Sequence, residues 1–231
     1  MGRGSYNQPM EQPLPTLAFA DMNLSEFVDR LSSAEPVPGG GAASAVAAAL
    51  GASLISMVAG LSTGKPKYAA YEATLARCLA AGKELATEFL RLADQDADAY
   101  AAYSTALKLP RETEEQQNER KAAIRAAARV AADAPWECVR ACARLVVEAE
   151  ALAGRSNVNA ASDVLVAALL GEAAARGAAE NVRINLPATG DETYAETMGQ
   201  QVDSALHEIA AVVARTRETV LSGQAQDPEA E

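Results

Sequence analysis

The chain has 231 residues, of which 49% are hydrophobic and only 4% aromatic, and its formal net charge is −11. This length can bury a sizeable core, and the scarcity of aromatic rings predicts a core of closely packed helices with small side chains. The negative charge argues against a nucleic-acid partner, because the field of the protein repels phosphates.

The first 22 residues are rich in Pro, Gln and Gly, and we expect a flexible arm there. They lack the basic start and apolar run of a signal peptide, so a cytoplasmic location is expected. Asn23 and Glu26 then stand at the spacing of a capping box. The apolar stripe that follows predicts a first helix that ends before Pro36.

A loop of prolines and glycines, Pro36 to Gly41, leads directly into an uncharged run from Ala42 to Leu61. A helix that is apolar on all sides must be buried in a core or in a membrane. We predict a buried Ala/Gly-rich central helix that ends near Gly60, and not a membrane span, because flanking aromatic anchors are missing. Its first N–H groups would be available to an anion or a carbonyl.

The remaining chain predicts further helices and no convincing strand. These are a helix from Tyr68 to Leu109, one from Thr113 to Ala153 kinked at Pro135, one from Ser162 to Arg176 stopped by Gly177, a short helix or turn from Ala178 to Leu186, and an amphipathic helix from Asp191 to Leu221. The predicted fold class is therefore all-α, a compact bundle of long helices around the central one. We expect one domain over residues 23–222 and a disordered acidic tail over 223–231.

Asp96 interrupts an apolar stripe on the helix that starts at Tyr68. The stripe consists of Phe89, Leu92, Ala93, Tyr100, Tyr103 and Leu107. A carboxyl group on a core face must be paired, hydrogen-bonded or protonated, and burial raises its pKa, which suits proton transfer near neutral pH. A structural acid bonded to a buried Tyr or Arg fits the spacing equally well. Asp94 and Asp98 should face solvent.

Two more polar clusters interrupt apolar surroundings. Asn157, Asn159, Ser162 and Asp163 precede a predicted helix and exceed what capping needs, although a cap with a dipole-favoured Asp remains an alternative. Asn181, Arg183 and Asn185 form the second cluster. Their polar groups could bind a heterocycle or hold an irregular turn together.

The cysteines and the single histidine do not suggest a metal site. Cys78, Cys138 and Cys142 are expected to be buried thiols in a reducing compartment. His207 is far from them in sequence and is expected to be structural or exposed.

Four segments, in this order and spacing, together resemble the cyclodeaminase/cyclohydrolase family. They are Pro38-Gly39-Gly40-Gly41 with its Ala-rich helix, Thr63-Gly64-Lys65, Asp96-Ala97 through Tyr100 to Leu109-Pro110, and Asn157 to Asp163 followed by Gly177-Ala178 and Asn181 to Leu186. The resemblance covers residues 24–222. The family includes the cyclodeaminase half of formiminotransferase-cyclodeaminase and stand-alone methenyltetrahydrofolate cyclohydrolases. It implies an all-helical homodimer that acts on a tetrahydrofolate derivative, with no metal and no permanently bound cofactor.

The resemblance implies cyclodeamination of 5-formiminotetrahydrofolate to the 5,10-methenyl form and ammonia. Cyclohydrolysis of 5,10-methenyltetrahydrofolate to the 10-formyl form is the alternative, and a non-catalytic folate-binding or assembly subunit ranks lower. Asp96 and Asp163 are the expected catalytic pair, one as acid/base and the other as electrostatic partner. The expected substrate-binding residues are Gly39, Gly40, Gly41, Lys65, Asn157, Asn159, Asn181 and Asn185. The asparagines would bind the pterin edge, and the lysine and glycine amides a carbonyl or glutamate carboxylate.

Overall fold

The structure is a computed structural model that describes residues 18–227, and within this range it is all-helical, as predicted. The α-helices are α1 (Leu24–Leu31), α2 (Gly40–Ser62), α3 (Glu72–Leu107), α4 (Glu114–Leu152), α5 (Ala161–Thr189) and α6 (Glu192–Ser222). Short 3-10 helices span Phe19–Asp21, Pro66–Tyr71 and Val158–Ala160. Residues 1–17 of the predicted arm and 228–231 of the predicted tail lie outside the described residues.

The starts of two helices follow from their capping residues. The side chain of Asn23 accepts from the backbone N–H of Glu26, whose own side chain accepts from the backbone of Asn23, so the predicted capping box is confirmed. Thr113 and Gln116 form the same reciprocal pair at the start of α4. Each box satisfies N–H groups that a helix start leaves unpaired. α4 then runs on through the buried Pro135, and the kink expected there stays a prediction.

α5 is longer than predicted, because Gly177 does not stop it. The helix continues through Ala178 to Leu186 and beyond, and ends at Gly190, which has the left-handed φ of +61° typical of a helix C-terminus. A Cβ on Gly177 would lie 2.4 Å from the Ser44 Oγ of α2. The glycine therefore serves close packing between two helices, and the prediction that it terminates one was wrong.

α2 packs against α3, α4 and α5 at short distances. A Cβ on Gly82 of α3 would lie 2.7 Å from the Ala52 carbonyl oxygen of α2. α5 crosses on another side, where Gly51 faces the carbonyl oxygen of Ala167. Since Gly40 also faces Asn181, α2 and α5 are antiparallel. The start of α2 thus lies beside the second half of α5, and the end of α2 beside the start of α5.

Phe19 fixes the chain just before α1 to α3. Its ring is buried and packs edge-to-face on Phe27, and its N–H donates to the Asp94 carboxylate at 2.8 Å. The prediction that Asp94 faces solvent was wrong. Its carboxylate is half-buried because it accepts the hydrogen bond from the Phe19 N–H, which lies outside the helix. Asp98 is exposed, as predicted.

Candidate active site

The carboxyl group of Asp96 lies against the first turn of α2. A Cβ added to Gly41 would lie 2.2 Å from Asp96 Oδ1 and 2.4 Å from its Cγ, so only glycine leaves room for the carboxyl group. The next N–H along the helix, that of Ala42, donates to the same carboxyl group. The α2 start therefore binds a carboxylate from its own chain, as the free N–H groups of a helix N-terminus allow.

Burial raises the pKa of Asp96 above its ordinary value, and the hydrogen bond from Ala42 lowers it by a smaller amount. Neither an ion pair nor a hydrogen bond to a Tyr or Arg side chain engages Asp96 within residues 18–227. The alternative of a structural acid held by such a partner therefore finds no support there. A half-buried carboxyl group without a countercharge is suited to exchanging a proton with a ligand.

Asn181 and Asn185 extend this site along α5. The Asn181 amide nitrogen donates to the Gly177 carbonyl at 2.9 Å and lies 3.6 Å from the Cβ position of Gly40. The amide nitrogen of Asn185 donates to the carbonyls of Ala131 and Asn181. Asn185 thus uses both of its N–H donors, and Asn181 one of its two, on backbone carbonyls, which leaves the two amide oxygens and one Asn181 N–H for a ligand. We call Gly39, Gly40, Gly41, Asp96, Asn181 and Asn185 the N-end group, after the end of α2 where they lie.

The other predicted residues lie at the opposite end of α2 and form what we call the C-end group: Lys65, Asn157, Asn159 and Asp163. The Asn157 N–H donates to the buried Ser62 Oγ at 2.8 Å, and its side chain accepts from the Asn159 N–H. Lys65 and Asn159 are exposed, and Asp163 is half-buried in the first turn of α5.

A cavity of about 380 Å³ borders the C-end group. Asn157 lines it together with Lys67, Tyr68 and Tyr71, and the segment after α6 covers one side. The Tyr71 hydroxyl donates to the Gln226 carbonyl at 2.6 Å, which holds this segment in place. The C-end group therefore has space for part of a ligand beside the cation of Lys67.

The two groups are too far apart to act together within one chain. α2 has 23 residues, and at about 1.5 Å per residue its ends are about 33 Å apart. Asp163 and Asn181, both on α5, are likewise about 27 Å apart along the axis. The sequence prediction placed these residues in one site because of their residue types. Helical spacing shows which residues share a face over a few turns, but it does not show the distance between residues on different helices.

The steric role of Gly41 was also missed. The sequence predicts exposed N–H groups at the glycine loop and an inward carboxyl group at Asp96, but only the packing of α3 on α2 joins them.

Beyond Asp96 the apolar stripe of α3 becomes exposed, and Tyr100 and Leu107 are each 43% exposed. The end of α3 therefore offers uncovered apolar surface, which begins at Tyr100, one turn beyond the carboxyl group.

The cysteines are all buried and unpaired, as predicted, and His207 is exposed. Burial raises the pKa of Cys78 to about 12, and the neighbouring Cys138 raises that of Cys142. The described part of the chain contains no cluster of three or more His, Cys, Asp or Glu side chains suited to a metal ion.

Fold and site together define a class: an all-helical protein that holds a desolvated carboxyl group at the start of an uncharged helix. Residues 23–204 match the protein-family model described as formiminotransferase-cyclodeaminase. The chain is 37% identical to the methenyltetrahydrofolate cyclohydrolase of Methylorubrum extorquens, over 86% of this chain and 96% of that protein. The chain therefore belongs to the formiminotransferase-cyclodeaminase family, and the resemblance seen in its motifs is confirmed.

A much longer curated relative and a solved structure of similar length also resemble this chain. The formimidoyltransferase-cyclodeaminase of Rattus norvegicus is 32% identical over 84% of this chain, which spans only 36% of that protein. The crystal structure of formiminotetrahydrofolate cyclodeaminase from Thermotoga maritima superposes with a TM-score of 0.79 at 30% identity, covering 88% of this chain and 98% of that one.

Proposed function

We propose that this protein is a folate one-carbon enzyme that acts at the carbon bridging N5 and N10 of tetrahydrofolate. We place hydrolysis of 5,10-methenyltetrahydrofolate to 10-formyltetrahydrofolate first. The chain is 37% identical to the Methylorubrum extorquens cyclohydrolase and 30% identical to the Thermotoga maritima cyclodeaminase, and this higher identity favours hydrolysis over cyclodeamination. The observation that carries the proposal is the Asp96 carboxyl group at the start of α2, half-buried and without a countercharge of its own.

In the hydrolytic reaction the substrate carbon is part of a cation shared between N5 and N10. The Asp96 carboxylate would lie beside that charge and would accept a proton from the water that adds to the carbon. A C–O bond forms first and gives a tetrahedral centre. The C–N5 bond then breaks as N5 takes a proton back from Asp96, and loss of the hydroxyl proton leaves the formyl group on N10.

Cyclodeamination is the second candidate, and the Thermotoga maritima relative favours it. Here N10 attacks the carbon of the protonated formimino group, N5–CH=NH2⁺, and forms the C–N10 bond while the C=N bond becomes a single bond. The proton lost by N10 would pass through Asp96 to the departing nitrogen, and breakage of the C–N bond releases ammonia. The reacting carbon is the same in both reactions, so one carboxyl group could serve either.

The rest of the N-end group would bind the flat pterin ring. The amide oxygens of Asn181 and Asn185 can accept hydrogen bonds from its N–H groups, since the amide nitrogens already bind backbone carbonyls. The N–H groups of Gly40 and Gly41, at the start of α2, can donate to a carbonyl of the ligand. Acceptors and donors would thus face complementary edges of the substrate.

A two-substrate assay tests this proposal. The purified protein receives 5,10-methenyl- or 5-formiminotetrahydrofolate, while methenyl absorbance and ammonia release are followed. Asp96→Asn should slow turnover by about a hundredfold, because a carboxamide cannot shuttle a proton. Asp98→Asn, two residues along α3 and exposed, is the matched control and should keep full activity. Full activity of Asp96→Asn would reject the assignment, and folate binding without turnover by the unmodified protein would favour a non-catalytic subunit.

We further propose a soluble, cytoplasmic homodimer that pairs through α2. Two segments, Gly40–Ser62 and Val158–Thr189, are long and apolar enough to cross a membrane by length and composition. Half of the apolar window of α2 is already buried by other helices, as in the core of a soluble protein. A second copy would cover the rest of α2, and the buried free thiols suit a reducing compartment.

A further inference from the structure

We infer that Pro135 of α4 is a positioning residue for the active site, because it fixes the direction of the Asn185 amide group. The link is a hydrogen bond between two helices, from the Asn185 amide nitrogen on α5 to the Ala131 carbonyl oxygen on α4, at 2.9 Å. The inference rests on the proposed function for what Asn185 binds. The bond between the helices can be tested without a substrate.

The Ala131 carbonyl is available to Asn185 because a proline stands four residues further along α4. In an α-helix this carbonyl would accept from the backbone N–H of residue 135, and proline has no N–H. The proline ring also clashes with the carbonyl four residues before it, which turns that oxygen away from the helix axis. α4 is helical on both sides of Pro135, so the lost bond is a local interruption of one long helix.

The carbonyl oxygen of Ala131 needs a donor because it belongs to a buried residue. Ala131 is 7% exposed, and Pro135 is also buried. A buried backbone acceptor without a donor destabilises the fold, so nearly all such groups in native proteins are paired. α5 packs against α4, and the Asn185 amide supplies the donor that the proline removes.

Two carbonyl oxygens then determine which way the Asn185 amide faces. Its nitrogen donates to the Asn181 carbonyl at 2.8 Å as well as to that of Ala131. If the amide turned over, its oxygen would meet the same two carbonyl oxygens, and none of these oxygens could donate a hydrogen. If the Ala131 carbonyl were bonded inside α4, only the Asn181 carbonyl would oppose this turn.

The direction of this amide decides what Asn185 offers to a ligand. With its nitrogen on the two carbonyls, its oxygen is free to accept, which suits the N–H groups of a pterin edge. In the reversed direction the N–H groups of Asn185 would meet those of the pterin, donor against donor. Pro135 would therefore contribute to substrate binding, whereas proton transfer belongs to Asp96 and should not depend on the proline.

Pro135→Ala tests this role in the proposed reaction. The substitution supplies the absent N–H and removes the clash, so the Ala131 carbonyl can bond within α4 and Asn185 loses a partner. We expect KM for the folate that the protein turns over to rise about tenfold and kcat to stay within about twofold, because substrate binding is weakened and Asp96 is untouched. The melting temperature should stay within a few degrees, since alanine is favoured over proline inside a helix, which offsets the lost packing. An unchanged KM would overturn the inference, and so would a fall in kcat alone.

Two comparisons separate positioning from a general effect on the helix. In a chain that already carries Asn185→Ala, Pro135→Ala should raise KM no further, because the side chain through which it acts is absent. KM effects that multiply in the double variant would overturn the inference.

Pro187→Ala is the matched control. It also adds an N–H inside a helix, at an exposed position of α5, and the carbonyl that this N–H would bond is that of Arg183, which is not a partner of the Asn185 side chain. KM should therefore stay within about twofold. An equal rise in KM for both proline variants would trace the effect to helix geometry and overturn the inference.

Thermal unfolding tests the link between Pro135 and Asn185 without a substrate. Asn185→Ala should lower the melting temperature of the unmodified protein by about 3–5 °C, because the Ala131 carbonyl loses its donor. In a chain that carries Pro135→Ala, the same change should lower it by less than half as much, since residue 135 then supplies an N–H. Equal losses in both backgrounds would overturn the inference. If the unmodified protein turns over neither folate, the proposed function fails, which is a different result from equal losses in this unfolding cycle.

Discussion

Gly41→Ala is the substitution that most directly tests how α2 holds Asp96. A Cβ at this position would lie 2.2 Å from Asp96 Oδ1 and 2.4 Å from both Cγ and Oδ2. Ordinary contact begins near 3.4 Å, so the carboxyl group must retreat by about 1.2 Å or leave its place on the helix start. A misplacement of about 1 Å can cost a catalytic group about a hundredfold in rate.

The fold should survive this change. Gly41 is helical and does not have a positive φ, so alanine can adopt the same backbone. Alanine is also favoured over glycine within a helix by about 1 kcal/mol, which offsets part of the steric cost. We therefore expect a melting temperature within a few degrees of that of the unmodified protein, together with a loss of turnover of about a hundredfold.

The assay is turnover of both folates, read beside thermal unfolding by circular dichroism. Gly199→Ala in α6 is the control, because a Cβ there would meet nothing within 4 Å. It should keep its activity. Gly41→Ala with full activity would refute the reasoning, since the carboxyl group would then have no need of the space that glycine leaves.

Three further predictions concern stability and reactivity. Burial raises the pKa of Asp96, so in the unmodified protein this group lowers the free energy of unfolding as pH rises from the ordinary aspartate pKa through the raised one. Asp96→Asn should remove that loss. In denaturant titrations the unfolding free energy of the variant minus that of the unmodified protein should therefore be larger at pH 7 than at pH 3. Gly82→Ala should lower the unfolding free energy by about 1–3 kcal/mol, because the Ala52 carbonyl would lie 2.7 Å from the new Cβ. Cys78 should resist iodoacetamide at pH 8 in the folded protein and react in denaturant, because burial raises its pKa to about 12.

Local patterns predicted the helices and their starts well. The capping boxes at Asn23 and Thr113 are short-range devices, whose partners lie three residues apart, so sequence spacing alone identifies them. Asp96 could be singled out for the same reason, since its neighbours on the helix face are apolar residues of its own helix. The periodicity of the apolar residues therefore predicts that the Asp96 side chain points toward the core.

Residues whose role depends on a second helix could not be predicted in this way. In the sequence Gly177 resembles a helix stop. In the structure a glycine is needed there because the Ser44 side chain of α2 occupies the space that a Cβ would take. Asp163 and Asp96 looked like a pair because both are carboxyl groups in apolar surroundings. Their separation follows from the antiparallel course of α2 and α5, which no pattern within either helix records.

The three aspartates of α3 show how packing assigns different roles to one residue type. Asp94, Asp96 and Asp98 are two residues apart, and all belong to the same charged segment of one helix. Asp94 accepts the Phe19 N–H, Asp98 faces solvent, and Asp96 lies on the start of α2. What sets Asp96 apart is the missing side chain at Gly41, across the helix interface. The glycine, more than the sequence around the aspartate, therefore specifies which of the three carboxyl groups lies at the start of α2, where we propose that it acts as the acid/base.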